Sequence, residues 1–218
     1  MVKRFLDILC SLVLLAMLGV PMLLIALLIR LESRGPAIFR QRRAGWKGRP
    51  FTMLKFRTMR AGADPYGHSP HGREDPRLTR FGRLLRETSL DELPQLLNVL
   101  AGRMSLVGPR PLYERQAAEW NARQRRRLDV RPGITGYAQV RGRATLPIEE
   151  KIELDLHYVE NACLWLDLEI LLRTLTGAFM RRPDRYESRY SRESEYEDGR
   201  APTADPDGQA EGEANSQA

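Results

Sequence analysis

The chain has 218 residues, a length typical of one ordinary domain with short appendages, and 29% of its residues are charged. The formal net charge of +7 is unevenly distributed, because ten acidic and four basic residues from position 184 onward carry −6 and leave +13 on residues 1–183. A body this basic indicates an anionic partner, such as a nucleic acid, a lipid surface or a phosphorylated substrate. The wide spacing of Cys10 and Cys163 excludes a disulfide framework and a cysteine metal site.

Residues 8–29 contain no charged side chain and are almost entirely apolar. As a straight helix they would reach about 33 Å, enough to cross the roughly 30 Å hydrocarbon core of a bilayer. A straight anchor, a cleaved signal peptide and a re-entrant hairpin are the alternatives. A signal peptide would need a shorter apolar core and a small-x-small cleavage site, and neither is evident.

Two features of this segment favour a re-entrant hairpin that enters and leaves through one leaflet. Gly19 and Pro21 lie near its middle, where a proline removes a backbone hydrogen bond and bends a helix. Cytoplasmic flanks attract lysine and arginine, and both flanks here are basic. The flanking residues are Lys3, Arg4, Arg30, Arg34, Arg40, Arg42 and Arg43. We therefore predict a helix break at Pro21.

The remainder of the chain predicts a small mixed domain. Extended runs are expected at residues 37–40 and 50–58 around a glycine-containing turn, with a loop at 62–76. Helices are expected at 78–86, 90–100, 112–128, 149–159 and 164–179. From residue 183 the chain is acidic and poor in large aliphatic residues, which predicts a disordered tail.

The Asp91-Glu92 pair allows two interpretations. Ser89 and Glu92 have the spacing of a capping box, so the two acids could simply begin a helix. The surrounding cations suggest chemistry instead, because a carboxylate that attacks a diphosphate needs cations, and usually a metal ion, around the phosphates. Those cations are Arg83 and Arg86 upstream, with Lys55 and Arg57 on one side of the second extended run.

Three segments combine glycine or proline with arginine, at residues 105–111, 131–136 and 141–143. Rigid turns that present arginines suit a phosphate pocket, although any one of these segments taken alone is more typical of a surface turn with solvated arginines. None matches a nucleoside triphosphate or dinucleotide loop. The arginines at 123–127 form either a solvated face or a lipid contact. His68 and His71 lie in a loop without a metal-site pattern.

Five short stretches occur together in one order. They are KFRTM at 55–59, SLDELPQ at 89–95, MSLVGPRP at 104–111, RPGITG at 131–136 and LWLDL at 164–168. With them the chain resembles the bacterial sugar transferases called small monotopic phosphoglycosyl transferases, over residues 3–180. The resemblance implies an enzyme that begins surface glycan synthesis at the cytoplasmic face of the bacterial inner membrane.

The resemblance also implies a mechanism. Asp91 would attack the β-phosphate of a UDP-sugar, release UMP and carry the phosphosugar until polyprenyl (undecaprenyl) phosphate accepts it. Magnesium would be bound at Asp91, and Glu92 would assist. The matching phosphate-binding cations are Lys55, Arg86 and Arg143, to which Arg57 and Arg110 are added from the patterns above.

The expected fold is α+β and mainly helical. Residues 1–34 would form the membrane helix hairpin, residues 35–182 the catalytic domain and residues 183–218 the acidic tail. Membrane lipid is an expected partner, nucleic acid is not, and a homodimer is one assembly we consider. The alternative function is a membrane-anchored basic module that binds anionic lipid or nucleic acid, but the chain contains no recognisable nucleic-acid motif.

The chain also departs from the resembled family at three positions. Val20 precedes Pro21 where the family usually has serine, which removes a hydroxyl able to bond a freed backbone carbonyl. Tyr137 stands where tryptophan is common, and Ala144 where asparagine often occurs.

Overall fold

The computed structural model describes residues 2–63, 74–142 and 146–179. The expectations for the histidine loop, for Arg143 and Ala144, and for the acidic tail lie outside the described residues. The described chain is mainly helical with a few short strands, which confirms that part of the predicted fold class. It begins with a long apolar helix, as the sequence predicts.

The helices are α1 (Val2–Glu32), α2 (Arg80–Thr88), α3 (Gln95–Leu100), α4 (Glu114–Glu119), α5 (Ala122–Arg125), α6 (Tyr137–Arg141), α7 (Ile148–Asn161) and α8 (Leu164–Phe179). The strands are β1 (Ile38–Arg43), β2 (Phe51–Phe56), β3 (Ser105–Val107) and β4 (Gly133–Thr135). Single 3-10 turns occupy Trp46–Gly48, Leu90–Glu92 and Arg126–Asp129.

Helix α1 has 31 residues and includes Pro21. Among the described residues it is the one helix long and apolar enough to cross a membrane. Its buried residues lie toward the two ends and are Asp7, Ser11, Ile25 and Ile29. Between them Met17, Val20 and Leu23 are 70%, 68% and 72% exposed, so the apolar middle of α1 has almost no neighbour in the described part of the chain.

The first turns of α1 are fixed by polar contacts to the domain. Asp7 accepts hydrogen bonds from the Ser105 hydroxyl at 2.8 Å and from the Leu106 amide at 3.0 Å. One turn earlier, Arg4 donates to the Val99 carbonyl at 2.7 Å. Because these partners follow or end α3, the first part of α1 lies against that helix.

The last turns of α1 contact the β-hairpin and α2. Ile25 and Ile29 share an apolar cluster with Phe56 of β2 and Leu85 of α2. Both ends of α1 therefore rest on the same small domain.

Strands β1 and β2 form an antiparallel hairpin in which Ile38 is opposite Phe56 and Arg43 is opposite Phe51. Helix α3 binds the hairpin through Asn98, whose amide donates to the Thr52 carbonyl at 2.8 Å and whose oxygen accepts from the Leu54 amide at 2.9 Å. The side chain thus continues the hydrogen bonding of β2, which places α3 and the preceding turn beside the end of the strand.

Strands β3 and β4 pair in parallel, with Ser105 opposite Gly133 and Val107 opposite Thr135. The sequences of both segments predict only rigid turns, so this pairing is an addition from the structure. A Cβ atom at Gly133 would lie 2.1 Å from the Gly108 amide nitrogen, so glycine is needed for this close approach. The pairing brings the first and second arginine-containing segments, 105–111 and 131–136, together.

The predicted helix at 112–128 is wrong as a single element. Trp120 adopts an extended conformation after α4, and Asn121 then caps α5 by accepting a hydrogen bond from the Gln124 amide. The predicted helix at 90–100 begins instead as a 3-10 turn and continues as α3. The two closing helices are confirmed as α7 and α8.

Candidate active site

A change of backbone direction at Ser89 positions the carboxylate pair. Ser89 ends α2 in the left-handed conformation, with φ 59° and ψ 17°, which costs a non-glycine residue about 1 kcal/mol. Its side chain makes no capping hydrogen bond to the turn that follows. The capping-box interpretation is therefore wrong, and Asp91 and Glu92 occupy a 3-10 turn that faces the end of β2 rather than the start of a regular helix.

Glu92 is held by two cations. Its Oε1 atom accepts a hydrogen bond from Lys55 Nζ at 2.8 Å and one from Arg110 Nη2 at 3.1 Å. Burial alone would raise the pKa of Glu92, but the charges and hydrogen bonds of Lys55 and Arg110 outweigh it and lower the pKa to about 2. Glu92 is therefore ionised at neutral pH. Burial lowers the pKa of Lys55, an effect that the charge of Glu92 opposes.

Asp91 is 8% exposed, yet none of the described residues makes a hydrogen bond or ion pair with its carboxylate. Burial raises the pKa of Asp91, and the charges of Lys55 and Arg86 act in the opposite direction. The neighbouring Glu92 charge also raises it. Asp91 thus presents an unengaged carboxylate among cations, which suits a nucleophile or a metal ligand.

Arg86 reaches the site from α2 and is oriented by Thr58. Its Nε atom donates to the Thr58 hydroxyl at 3.0 Å. One turn earlier in α2, a Cβ atom at Gly82 would lie 2.0 Å from the Thr58 carbonyl oxygen, so the helix packs directly on this backbone. Thr58 belongs to the first of the five sequence stretches, but its position in that stretch predicts no role for it.

Arg57 does not join the carboxylate pair. It donates hydrogen bonds to the Ser33 carbonyl at 2.7 Å and to the Arg34 carbonyl, at the end of α1. Since β2 ends at Phe56, the two-residue alternation that would place Arg57 beside Lys55 does not continue to it. The structure assigns Arg57 to fixing α1 against the domain.

Of the other predicted site residues, some lie beside the carboxylate pair and others do not. Lys55, Arg86 and Arg110 are brought together around Asp91 and Glu92. Pro21 lies inside α1, remote in sequence from the pair. Arg143 lies outside the described residues.

A divalent cation at this site would have few protein ligands. The described ranges contain no group of three or more His, Cys, Asp or Glu side chains that could hold a metal ion. Mg²⁺ is commonly bound by one or two carboxylates together with substrate phosphates and water. The free Asp91 carboxylate fits that pattern, whereas Glu92 Oε1 is already occupied by Lys55 and Arg110.

Comparison with known proteins identifies the class of protein to which this site belongs. Residues 1–181 match the bacterial sugar transferase family, so the chain belongs to that family and is a transferase. This confirms the resemblance drawn from the five sequence stretches.

Three relatives illustrate the similarity. The chain is 46% identical over 173 residues to "Uncharacterized sugar transferase EpsL" of Bacillus subtilis, covering 79% of this chain and 85% of the relative. It is 48% identical over 185 residues to "UDP-glucose:undecaprenyl-phosphate glucose-1-phosphate transferase" of Caulobacter vibrioides, covering 79% and 68%. It is 40% identical over 195 residues to "Exopolysaccharide production protein PSS" of Rhizobium leguminosarum bv. phaseoli, covering 82% and 96%.

Proposed function

We propose that this protein transfers a sugar 1-phosphate from a UDP-sugar to polyprenyl (undecaprenyl) phosphate and so begins the synthesis of a surface glycan. The observation that carries the proposal is the unengaged Asp91 carboxylate beside the ion-paired Glu92. The name of the Caulobacter vibrioides relative, which specifies this reaction for glucose, supports it.

The reaction proceeds in two displacements. An oxygen of Asp91 bonds to the β-phosphorus of the UDP-sugar, the bond from that phosphorus to the bridging oxygen breaks, and UMP leaves with both electrons. An oxygen of polyprenyl phosphate then attacks the same phosphorus, which restores the Asp91 carboxylate and yields the polyprenyl-diphosphate sugar. Covalent catalysis of this kind splits one difficult transfer into two easier steps.

The cations have a defined task in this scheme. A carboxylate approaching a diphosphate meets repulsion between negative charges, which positioned cations reduce in the transition state. Lys55, Arg86 and Arg110 are the described residues whose positive charges act on Asp91. They are therefore the groups that hold the diphosphate, and Arg143 is retained as a further cation from the family resemblance.

Glu92 acts by positioning rather than by accepting a proton. A pKa of about 2 makes its carboxylate a weak base at neutral pH. Its Oε1 atom fixes both Lys55 and Arg110, which approach from β2 and from the segment after β3. Loss of Glu92 would leave both cations free to move away from Asp91.

Magnesium is the proposed cofactor. Asp91 would hold it together with the phosphates of the donor, and the ion would neutralise charge on the departing UMP. Lys55 and Arg110 keep Glu92 from becoming a second ligand through Oε1.

We also propose that α1 bends at Pro21 and enters and leaves the inner membrane on the cytoplasmic side. Arg4 binds the Val99 carbonyl of α3, whereas Ile29 lies in one cluster with Phe56 of β2. Those two α1 residues would be about 38 Å apart along a straight helix. Helix α3 is only about 9 Å long and lies directly on β2, so the two contact sites on the domain are much closer together than about 38 Å. A bend in α1 would allow both of its ends to reach them.

The test is UMP release by the full chain in lipid nanodiscs, with polyprenyl phosphate, Mg²⁺ and a panel of UDP-sugars. Asp91→Asn should lower UMP release by a factor of about 10⁴ or more, because the nucleophile is lost. Asp129→Asn is the matched control, since Asp129 is an exposed aspartate in another 3-10 turn. Without acceptor, the wild type should gain the mass of one phosphosugar on the peptide that contains Asp91.

Two results would refute the proposal. UMP release by Asp91→Asn at the wild-type rate would exclude the covalent mechanism. A wild type that releases no UMP from any UDP-sugar, yet binds anionic vesicles or nucleic acid, would favour the basic binding module instead.

A further inference from the structure

Arg127 and Asp155 form an ion pair in the interior of the domain. Arg127 Nη2 donates to Asp155 Oδ2, and both side chains are 3% exposed. Arg127 belongs to the 3-10 turn after α5, and Asp155 lies in the middle of α7. A buried ion pair is weak evidence for stability, because the loss of hydration offsets much of the attraction between the charges. Stability alone therefore does not account for this pair.

Arg127 also reaches the segment that carries Arg110. The same Nη2 atom lies 3.3 Å from the Arg110 carbonyl oxygen. The guanidinium carbon of Arg127 is 4.9 Å from the centre of the Trp120 ring, which limits its motion from another side. From Arg110 the contacts continue to the catalytic pair, since its Nη2 atom donates to Glu92 Oε1 at 3.1 Å.

The sequence around Arg110 explains why this segment needs an external support. Pro109 and Pro111 flank it, and neither has an N–H group to donate. The carbonyl groups of this segment therefore depend on donors from neighbouring elements. The Gly133 amide of β4 donates to the Pro109 carbonyl at 2.9 Å, and the buried Arg127 donates to the Arg110 carbonyl that follows.

Other ion pairs join the same parts of the chain but lack these properties. Arg126 pairs with Glu160 at 2.9 Å and Arg123 pairs with Glu153 at 2.6 Å, and all four side chains are well exposed. They already tie the region of α5 and the following turn to α7. What distinguishes Arg127 with Asp155 is burial and the contact with Arg110.

We propose that Asp155 and Arg127 are positioning residues, which hold the Arg110 backbone so that its guanidinium meets Glu92 and the donor diphosphate. Asp155 fixes the guanidinium of Arg127, Arg127 fixes the Arg110 carbonyl, and Arg110 completes the cation pair on Glu92. The inference rests on the proposed function, because its consequence is measured as transfer of the phosphosugar.

The first experiment replaces the pair with apolar residues of similar size, as Arg127→Met with Asp155→Leu. Buried ion pairs replaced in this way are often neutral or stabilising, so the melting temperature should stay near or above that of the wild type. The value of kcat/KM for the UDP-sugar should nevertheless fall roughly 10- to 100-fold, as misplacement of a catalytic group does. Arg126→Met with Glu160→Leu is the matched control and should leave kcat/KM within about twofold of the wild type.

A double-mutant cycle separates positioning from general loss of structure. Asp155→Asn should lower kcat/KM in the wild-type background but produce little further loss when Arg110→Ala is already present, because residues that act through one another are not additive. An equal loss in both backgrounds would overturn the proposal, as would a Met/Leu variant with wild-type kcat/KM.

Hydrogen exchange gives a readout that does not depend on activity. The peptide spanning residues 105–112 should exchange faster in the Met/Leu variant than in the wild type or the exposed-pair control. Faster exchange in the Met/Leu variant, found together with a wild type that releases no UMP, would support the positioning contact while refuting the proposed function. Unchanged exchange in that peptide would overturn the positioning contact.

Discussion

Lys55 Nζ lies 2.8 Å from Glu92 Oε1, in a pair whose side chains are 17% and 16% exposed. The contact joins β2 to the 3-10 turn of the carboxylate pair and uses the oxygen that Arg110 also contacts. Glu92 thereby holds cations on two elements, while Asp91 beside it keeps a carboxylate without a hydrogen bond among the described residues. This division of roles between adjacent acids underlies the predictions below.

Replacing Lys55 with methionine should affect both stability and activity. Among the described residues, Glu92 would keep only Arg110 as a hydrogen-bonded cation. Breaking a buried pair on one side costs about 3–5 kcal/mol at most. We expect a measurable drop in melting temperature. We also expect kcat/KM to fall about 100-fold or more, because a cation proposed to bind the donor diphosphate is lost. Thermal unfolding and UMP release measure the two effects.

Arg40→Met is the control for that variant. Arg40 is exposed on the same hairpin, opposite Leu54 in the register of β1 and β2. The free energy of unfolding of Arg40→Met should remain within about 0.5 kcal/mol of the wild-type value. Equal losses of activity in Lys55→Met and Arg40→Met would indicate a general charge effect rather than a phosphate site.

Thr58→Val should misdirect Arg86. The change removes the hydroxyl that accepts the Arg86 Nε hydrogen bond at 3.0 Å and largely keeps the side-chain shape. Loss of one hydrogen bond should lower the free energy of unfolding by about 1–2 kcal/mol. The value of kcat/KM should fall about tenfold, whereas Thr58→Ser, which keeps the hydroxyl, should retain most activity. Wild-type kinetics in Thr58→Val would show that Arg86 needs no such support.

Glu92 makes acid stability predictable. Its pKa is about 2 in the folded chain against a reference of 4.5, so the charged form stabilises the fold fully above pH 4.5. That contribution is lost progressively as the pH falls from about 4.5 toward 2. Without Mg²⁺ or substrate, the melting temperatures of wild type and Glu92→Gln should differ most at pH 6 and converge only as the pH approaches about 2. A difference that does not change with pH would contradict the low pKa.

Periodicity predicted the elements that depend on local pattern. Helix α8 has the predicted bounds, and the two extended runs form the β1–β2 hairpin. Periodicity fails where contacts between residues far apart in the sequence determine the structure. Strands β3 and β4 have three residues each and no alternation to recognise, and their pairing follows from the close approach of Gly108 and Gly133.

The sequence predicts which residues form the candidate site, but not what each of them does there. Lys55, Arg86 and Arg110 were found as cations near a carboxylate pair. The sequence could not assign Arg57 to the end of α1, because the point at which β2 ends depends on pairing with β1. Nor could it reveal that Glu92, rather than Asp91, receives the hydrogen bonds of the cations, since those arrive from β2 and from the segment after β3.

Both ends of α1 should lie on the same side of the membrane. In a background with Cys10→Ser and Cys163→Ser, single cysteines placed as Val2→Cys and Arg49→Cys should react with a membrane-impermeant maleimide from the same side of sealed vesicles. Both positions are exposed in the structure, before and after the apolar segment. Val20→Cys, next to Pro21, should react only after detergent is added, because the apex of a re-entrant helix lies in hydrocarbon. Labelling of residues 2 and 49 from opposite sides of the vesicles would establish a straight spanning anchor and exclude a re-entrant bend in α1.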